Sequence, residues 1–232
     1  MRESIRRGLM AAMAVGTVVA MTGCSVADAT PTGDALYRDG ERNFVEYATA
    51  MHSVIMAVHT GDWVVDTYGA SPIECDTEAG ASGYTFSWVR LLAQDDIDVD
   101  AVVASATAAF EAVDADAGTA TYGEGDAQEV NVIGTGGSVG RGVVTIRPAR
   151  GQIEVTATPG CFPGSAADLS DMVFGGLVYD TAWQRFPAVE GPDWQPRFYF
   201  PEDTSPVYRE ADGTPVQPPP TPAEFPVAPY GD

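Results

Sequence analysis

The chain has 232 residues, 45% of them hydrophobic and 19% charged, with 33 acidic residues against 12 basic ones, a formal net charge of −21. Every basic residue is Arg, so a Walker-type phosphate loop, which needs Lys, is excluded. The negative field repels phosphate backbones and anionic headgroups alike, which argues against nucleic acid and against a basic membrane patch.

The first residues carry Arg2, Arg6 and Arg7, then an apolar run over 9–21, then Thr22-Gly23-Cys24. This is the layout of a secretory signal, with an apolar run short of the roughly 20 residues of a spanning helix. Met21-Thr22-Gly23-Cys24 resembles the lipobox of bacterial lipoproteins, with Met where Leu is usual. The resemblance implies cleavage before Cys24, a diacylglyceryl thioether on Cys24 and acylation of the new amino terminus. Several acyl chains make a stable anchor, whereas one is marginal. Loss of residues 1–23 removes three Arg and Glu3, leaving nine Arg against 32 acids and a net charge of −23. With Cys24 lipidated, Cys75 and Cys161 remain as an even pair in an exported protein, the setting in which a disulfide persists. A catalytic thiol is the weaker reading, because neither Cys has a His near it in sequence.

Residues 24–34 are small and polar and read as a tether. Over 35–59, Phe44, Tyr47, Ala48, Met51, Val54, Ile55 and Val58 recur at helical spacing, and Gly61 stops the helix. A short strand is expected at 63–66, a loop at 68–82, and a half-buried strand at 84–92 with Tyr84, Phe86 and Trp88 on one side. A second helix is expected over 100–113, with Asp98 or Asp100 as its N-cap. Strands at 129–133, 142–147 and 152–158 follow. Their inward pairs are Val130/Val132, Val144/Ile146 and Ile153/Val155, and residues 148–151 form a hairpin link. Pairing Cys75 with Cys161 would make the aromatic strand and the last strand neighbours.

The fold class is therefore α+β, two helices on one face of a small, mainly antiparallel sheet in the order α-β-α-β-β-β. The domain occupies 35–162, an aromatic-rich extension 163–200, and a tail 201–232 with nine Pro that reads as extended or disordered. The lipobox, the long first helix, the Pro72-x-x-Cys75 loop before the 84–88 strand and the meander ending at Cys161 together resemble lipoproteins of high-GC Gram-positive bacteria. The layout is similar to mycobacterial lipoproteins of the LppA kind. That resemblance implies a compartment and little chemistry.

The motifs that could carry a reaction each lack their context. Gly136-Gly137-Ser138-Val139-Gly140 spells a nucleophile elbow, but a strand follows it and both His52 and His59 precede Ser138, so a glycine-rich hairpin turn is expected. His52 and His59 stand seven apart on the first helix, where a zinc pair prefers four. The acidic runs 95–100 and 114–118 offer hard oxygens without the register of a calcium loop, and solvated helix ends explain them. No catalytic residue, metal or cofactor is expected. The aromatics of 179–200 either form a platform for a glycan or apolar ligand or lock the extension onto the domain, the second being the commoner use. The expected role is a lipid-anchored, extracytoplasmic, non-catalytic binding or envelope-associated module, held to the membrane through Cys24, with an envelope protein or glycan as partner. The alternative is an envelope hydrolase with paired carboxylates about 5 to 9.5 Å apart. A transporter's solute-capturing partner is weaker, since two-lobed binding proteins are longer.

Overall fold

The computed structural model describes residues 30–174 and 186–199. Its first element is the 26-residue helix α1 (Gly33–Val58), whose buried residues run from Leu36 and Tyr37 through Phe44, Tyr47, Ala48 and Met51 to Val54 and Ile55. That stripe is the expected one, continued two turns toward the amino terminus. Helix α2 (Val99–Ala112) begins where the Asp98 carboxylate accepts the Ala101 N–H at 3.1 Å, so Asp98 is the N-cap. Helix α3 (Ala166–Phe174) buries Leu169 and Val173. A Cβ at Gly40 of α1 would lie 2.7 Å from Leu169 Cδ2, so that glycine lets the two helices approach closely. Among the described residues no helix is long and apolar enough to cross a membrane.

Among the described residues ten strands form two antiparallel sheets. They are β1 (Trp63–Thr67), β2 (Ile73–Asp76), β3 (Ser82–Thr85), β4 (Trp88–Ala93), β5 (Asp116–Tyr122), β6 (Glu129–Gly136), β7 (Gly140–Arg147), β8 (Gln152–Thr158), β9 (Phe162–Pro163) and β10 (Val189–Glu190). The large sheet has the order β10-β1-β4-β8-β7-β6-β5 and the small one β2-β3-β9. Val132, Val144, Ile146, Ile153 and Val155 are fully buried, and Val130 nearly so, all on the face that meets the helices. The fold is α+β, as the alternation predicts, with the helices packed on the sheet.

Three local readings change. The expected strand 84–92 is two strands: the chain leaves the small sheet after Thr85 and enters the large one at Trp88. The alternation survives the switch because Tyr84, Phe86 and Trp88 all point into one core and are fully buried. The expected loop 68–82 contains β2, and the acidic run 114–118 opens β5. Asp114 takes φ +59 in the turn out of α2, and Asp116 starts the strand. Leu169, Val173 and Phe198, which follow residue 162, lie in the same core as the helices and strands before them.

Cys75 on β2 is bonded to Cys161, just before β9, with Cα atoms 6.0 Å apart. The expected neighbours pair as well: β4 runs beside β8 with Trp88 opposite Ala157 and Ala93 opposite Gln152. Gly136, Gly137 and Gly140 all have positive φ around the 3₁₀ turn Gly137–Val139, so the glycine-rich segment is the β6–β7 hairpin turn and Ser138 sits in that turn.

Candidate functional site

The inward row of β4 is Trp88, Arg90 and Leu92, so period-two alternation delivers a guanidinium into the core. Arg90 is 0% exposed, flanked by Val65 of β1 and Val155 of β8. An unpaired charge there costs several kcal/mol, so the surroundings must supply a counter-charge and acceptors. They do. Arg90 Nε donates to Glu190 Oε2 at 2.6 Å, Nη1 donates to the carbonyls of Thr67 at 2.6 Å and Val89 at 2.9 Å, and Nη2 donates to the Tyr68 carbonyl at 3.3 Å. The register between β1 and β4 shifts between Val65 and Thr67. The irregularity lies in the stretch whose carbonyls meet the guanidinium, a known use of bulged backbone. The guanidinium carbon also lies 4.2 Å from the Trp88 ring centroid and 5.9 Å from those of Tyr68 and Trp194.

Glu190 arrives on β10, the two-residue edge strand where it faces Trp63. Its second oxygen, Oε1, lies 2.6 Å from His52 Nδ1. A carboxylate only accepts, so Nδ1 carries the proton and Nε2 is turned away from the pair. His52 keeps 18% of its side chain exposed, while Arg90 and Glu190 keep none. Its ring stacks on Trp194 at 5.3 Å. The line Arg90–Glu190–His52 therefore runs from the core to a half-buried imidazole near the surface.

Residues 186–199 close this cluster. Phe186 stacks on Tyr68 at 5.1 Å with the rings 5° apart, and Phe198 packs on Tyr37 at 5.4 Å and Phe44 at 5.7 Å. The Arg197 N–H donates to Tyr68 Oη at 2.9 Å. Burial pushes the Tyr68 phenol up, against the opposing pull of that N–H and of the nearby guanidinium groups. Burial likewise lowers Arg197. The described part of the aromatic stretch thus locks the C-terminal segment onto the domain. Tyr179, Trp183 and Phe200 lie outside the described residues.

The singled-out residues go to separate places. His52 joins the cluster, whereas His59 caps the end of α1, where its ring meets Trp63 edge-on at 6.5 Å and its carbonyl accepts the Trp63 indole N–H. Cys75 and Cys161 meet, Cys24 lies outside the described residues, and among the described residues no group of three or more His, Cys, Asp or Glu is placed to hold a metal. Ser138 lines a shallow depression of about 490 Å³ with Glu46, Thr49, Ser53 and Asp114. Arg90 and Glu190 are the residues that sequence reasoning missed. Arg90 was detectable as the charged member of an otherwise aromatic inward row, while Glu190 carried no signal.

Chemically, the arrangement can hold an oriented imidazole at the surface and can tie β10 to the sheet. Both oxygens of its carboxylate are already engaged. No family model matches the chain, and neither does any curated protein or solved structure.

Proposed function

We propose that this chain is a lipid-anchored, extracytoplasmic module that binds a partner in the cell envelope and performs no catalysis. The observation that carries the reading is the bond between Cys75 and Cys161. A bonded pair belongs to an oxidising compartment. It also leaves Cys24 as the one cysteine outside a disulfide, directly behind an Arg-bearing apolar leader and a Gly. The lipobox reading of Met21-Thr22-Gly23-Cys24 gives that cysteine its use.

Absence of catalysis is supported by what the buried charges are doing. Each oxygen of Glu190 is engaged, one by Arg90 and one by His52, and both domain cysteines are bonded. A carboxylate-pair hydrolase would need a second carboxyl facing the deep one, and among the described residues the groups bonded to Glu190 are a guanidinium and an imidazole. Anchoring through Cys24 would set the amino end of α1 toward the membrane. His52 lies nineteen residues along the helix from Gly33, roughly 28 Å at 1.5 Å per residue, so the Arg90 cluster would sit at the remote end.

The test is the intact mass of the protein extracted from membranes, before and after reduction. The expected mass is that of the chain from Cys24 plus acyl groups, with two hydrogens gained on reduction, and Cys24→Ser releases the protein from the membrane fraction. A full-length, unacylated chain would overturn the anchor.

A further inference from the structure

We propose that β5 is a docking edge for an extended peptide with basic flanks, which adds to the large sheet as an eighth strand. The inference rests on the binding-module reading and names the partner's chemistry. β5 ends the large sheet, and its seven residues all pair with β6, from Asp116 opposite Thr135 to Tyr122 opposite Glu129. Among the described residues nothing pairs with its other side. A strand in this position presents a row of unpaired N–H and C=O groups, which natural proteins usually blunt with Pro, charged side chains, a bulge or shortness. β5 has no Pro, no bulge and no shortness, and its one charge, Asp116, stands at its first residue. It is Asp-Ala-Gly-Thr-Ala-Thr-Tyr, the longest of the sheet edges, and the β5–β6 register runs without a shift. The other edges, β10, β2 and β9, have two, four and two residues. Its side chains are small, a Cβ at Gly118 would meet nothing within 4 Å, and Tyr122 at the end is 55% exposed, an aromatic available to grip a bound strand.

Charge selects the occupant. The middle of the strand, 117–121, has no ionisable group, while exposed acids flank it: Glu111, Asp114 and Asp116 at one end, Glu124 and Asp126 at the other. The nearest basic residues are already placed elsewhere. Arg147 is bonded to Glu129 and Glu154, Arg141 lies on β7, two strands in, and Arg150 belongs to the turn before β8. A second copy paired antiparallel about Thr119 would set Asp114 against Glu124 of its mate, twice by symmetry, and like charges placed opposite oppose pairing. The chain's own residues 200–232 carry six acids against one Arg and meet the same repulsion. A peptide with an uncharged, β-prone centre and Lys or Arg at both ends meets the backbone ladder in the middle and opposite charge at each end.

The experiment uses the full chain and two synthetic peptides, each with five alternating Thr and Val residues, one flanked on both sides by lysine pairs and its twin by glutamate pairs. The Lys-flanked peptide is expected to bind, to shift the backbone amide resonances of 116–122, and to weaken at least ten-fold as salt rises to about 1 M, where screening acts within about 3 Å. Thr119→Pro and Ala120→Pro bracket the two directions of the ladder. The variant that stays folded is expected to lose binding because Pro removes an outward N–H. If both variants unfold, the amide shifts of the unaltered chain decide. No binding at about 1 mM, equal binding of the Glu-flanked twin, shifts away from β5, or dimerisation through β5 would each overturn the proposal. Failure of the acylation test leaves this edge unaffected, so the two readings fail separately.

Discussion

The side chains of Arg90 and Glu190, one hundred residues apart in sequence, are both fully buried and meet at 2.6 Å. One belongs to the middle of the large sheet and the other to its shortest edge strand. Their pairing is what a two-residue strand such as β10 has in place of a long hydrogen-bond ladder. The backbone adds the Val65 N–H donated to the Ala188 carbonyl at 2.9 Å. A buried pair of this kind contributes little net stability against an apolar replacement, yet losing one member is costly because the other is left charged in the core.

Glu190→Gln is therefore expected to destabilise the fold by about 3 to 5 kcal/mol, read as a lowered urea midpoint. Replacing both partners by apolar residues, Arg90→Met with Glu190→Leu, is expected to recover most of that loss. His52→Ala should cost less than Glu190→Gln, since the imidazole is 18% exposed and water can replace it. Equal losses for the Glu190 single variant and the double variant would mean that packing, not uncompensated charge, sets the penalty.

The Cys75–Cys161 bond closes a loop with a sequence separation of 86. The chain-entropy relation assigns a loop of that size roughly 4 to 5 kcal/mol. Cys75→Ser with Cys161→Ser should lower the unfolding free energy by that order while leaving the far-ultraviolet circular dichroism unchanged. Loss of the small sheet's signal alone, with the large sheet intact, would show instead that the bond serves only its own locality.

Three tyrosines report on alkaline stability. Burial pushes the phenols of Tyr47 and Tyr68 upward and raises Tyr84 from 10.0 to about 12, opposed at Tyr84 by the Asn43 amide that donates to its oxygen. A raised folded-state value means that the folded state favours the neutral phenol. The stabilisation is complete below the unfolded value of 10.0 and is lost as pH climbs toward the folded value. Phenolate absorbance is expected to rise for these residues only together with loss of the near-ultraviolet circular dichroism, in the window above about pH 10. All tyrosines ionising near that pH in a still-folded protein would contradict the burial.

The meander was legible because Val130/Val132, Val144/Ile146 and Ile153/Val155 alternate with polar residues, and alternation is a direct consequence of the strand's two-residue period. β5 was not, because a strand at a sheet edge with both faces largely in water has no apolar row to display, and its first residues, in the acidic run 114–118, read as a helix end. The break between β3 and β4 was hidden for a related reason. Alternation records which core a side chain enters, not which strand the backbone bonds, and the core is shared across the switch. Arg90 stood in plain view as the next inward position after Trp88, whereas Glu190, between Val189 and Gly191, had no periodicity around it.

By itself the sequence determined the helical stripe of α1, the inward rows of the meander and the pairing of the two domain cysteines, and it narrowed the cap of α2 to Asp98 or Asp100. Each follows from local spacing or from the small number of cysteines in the chain. The tertiary structure alone decided that Arg90, Glu190 and His52 form one line, that Phe198 completes the core and that β5 ends the large sheet among the described residues. Those are relations between residues up to 161 positions apart, as Tyr37 and Phe198 are. A buried charge is indifferent to where along the chain its partner lies, so long as the fold brings the two within hydrogen-bond reach.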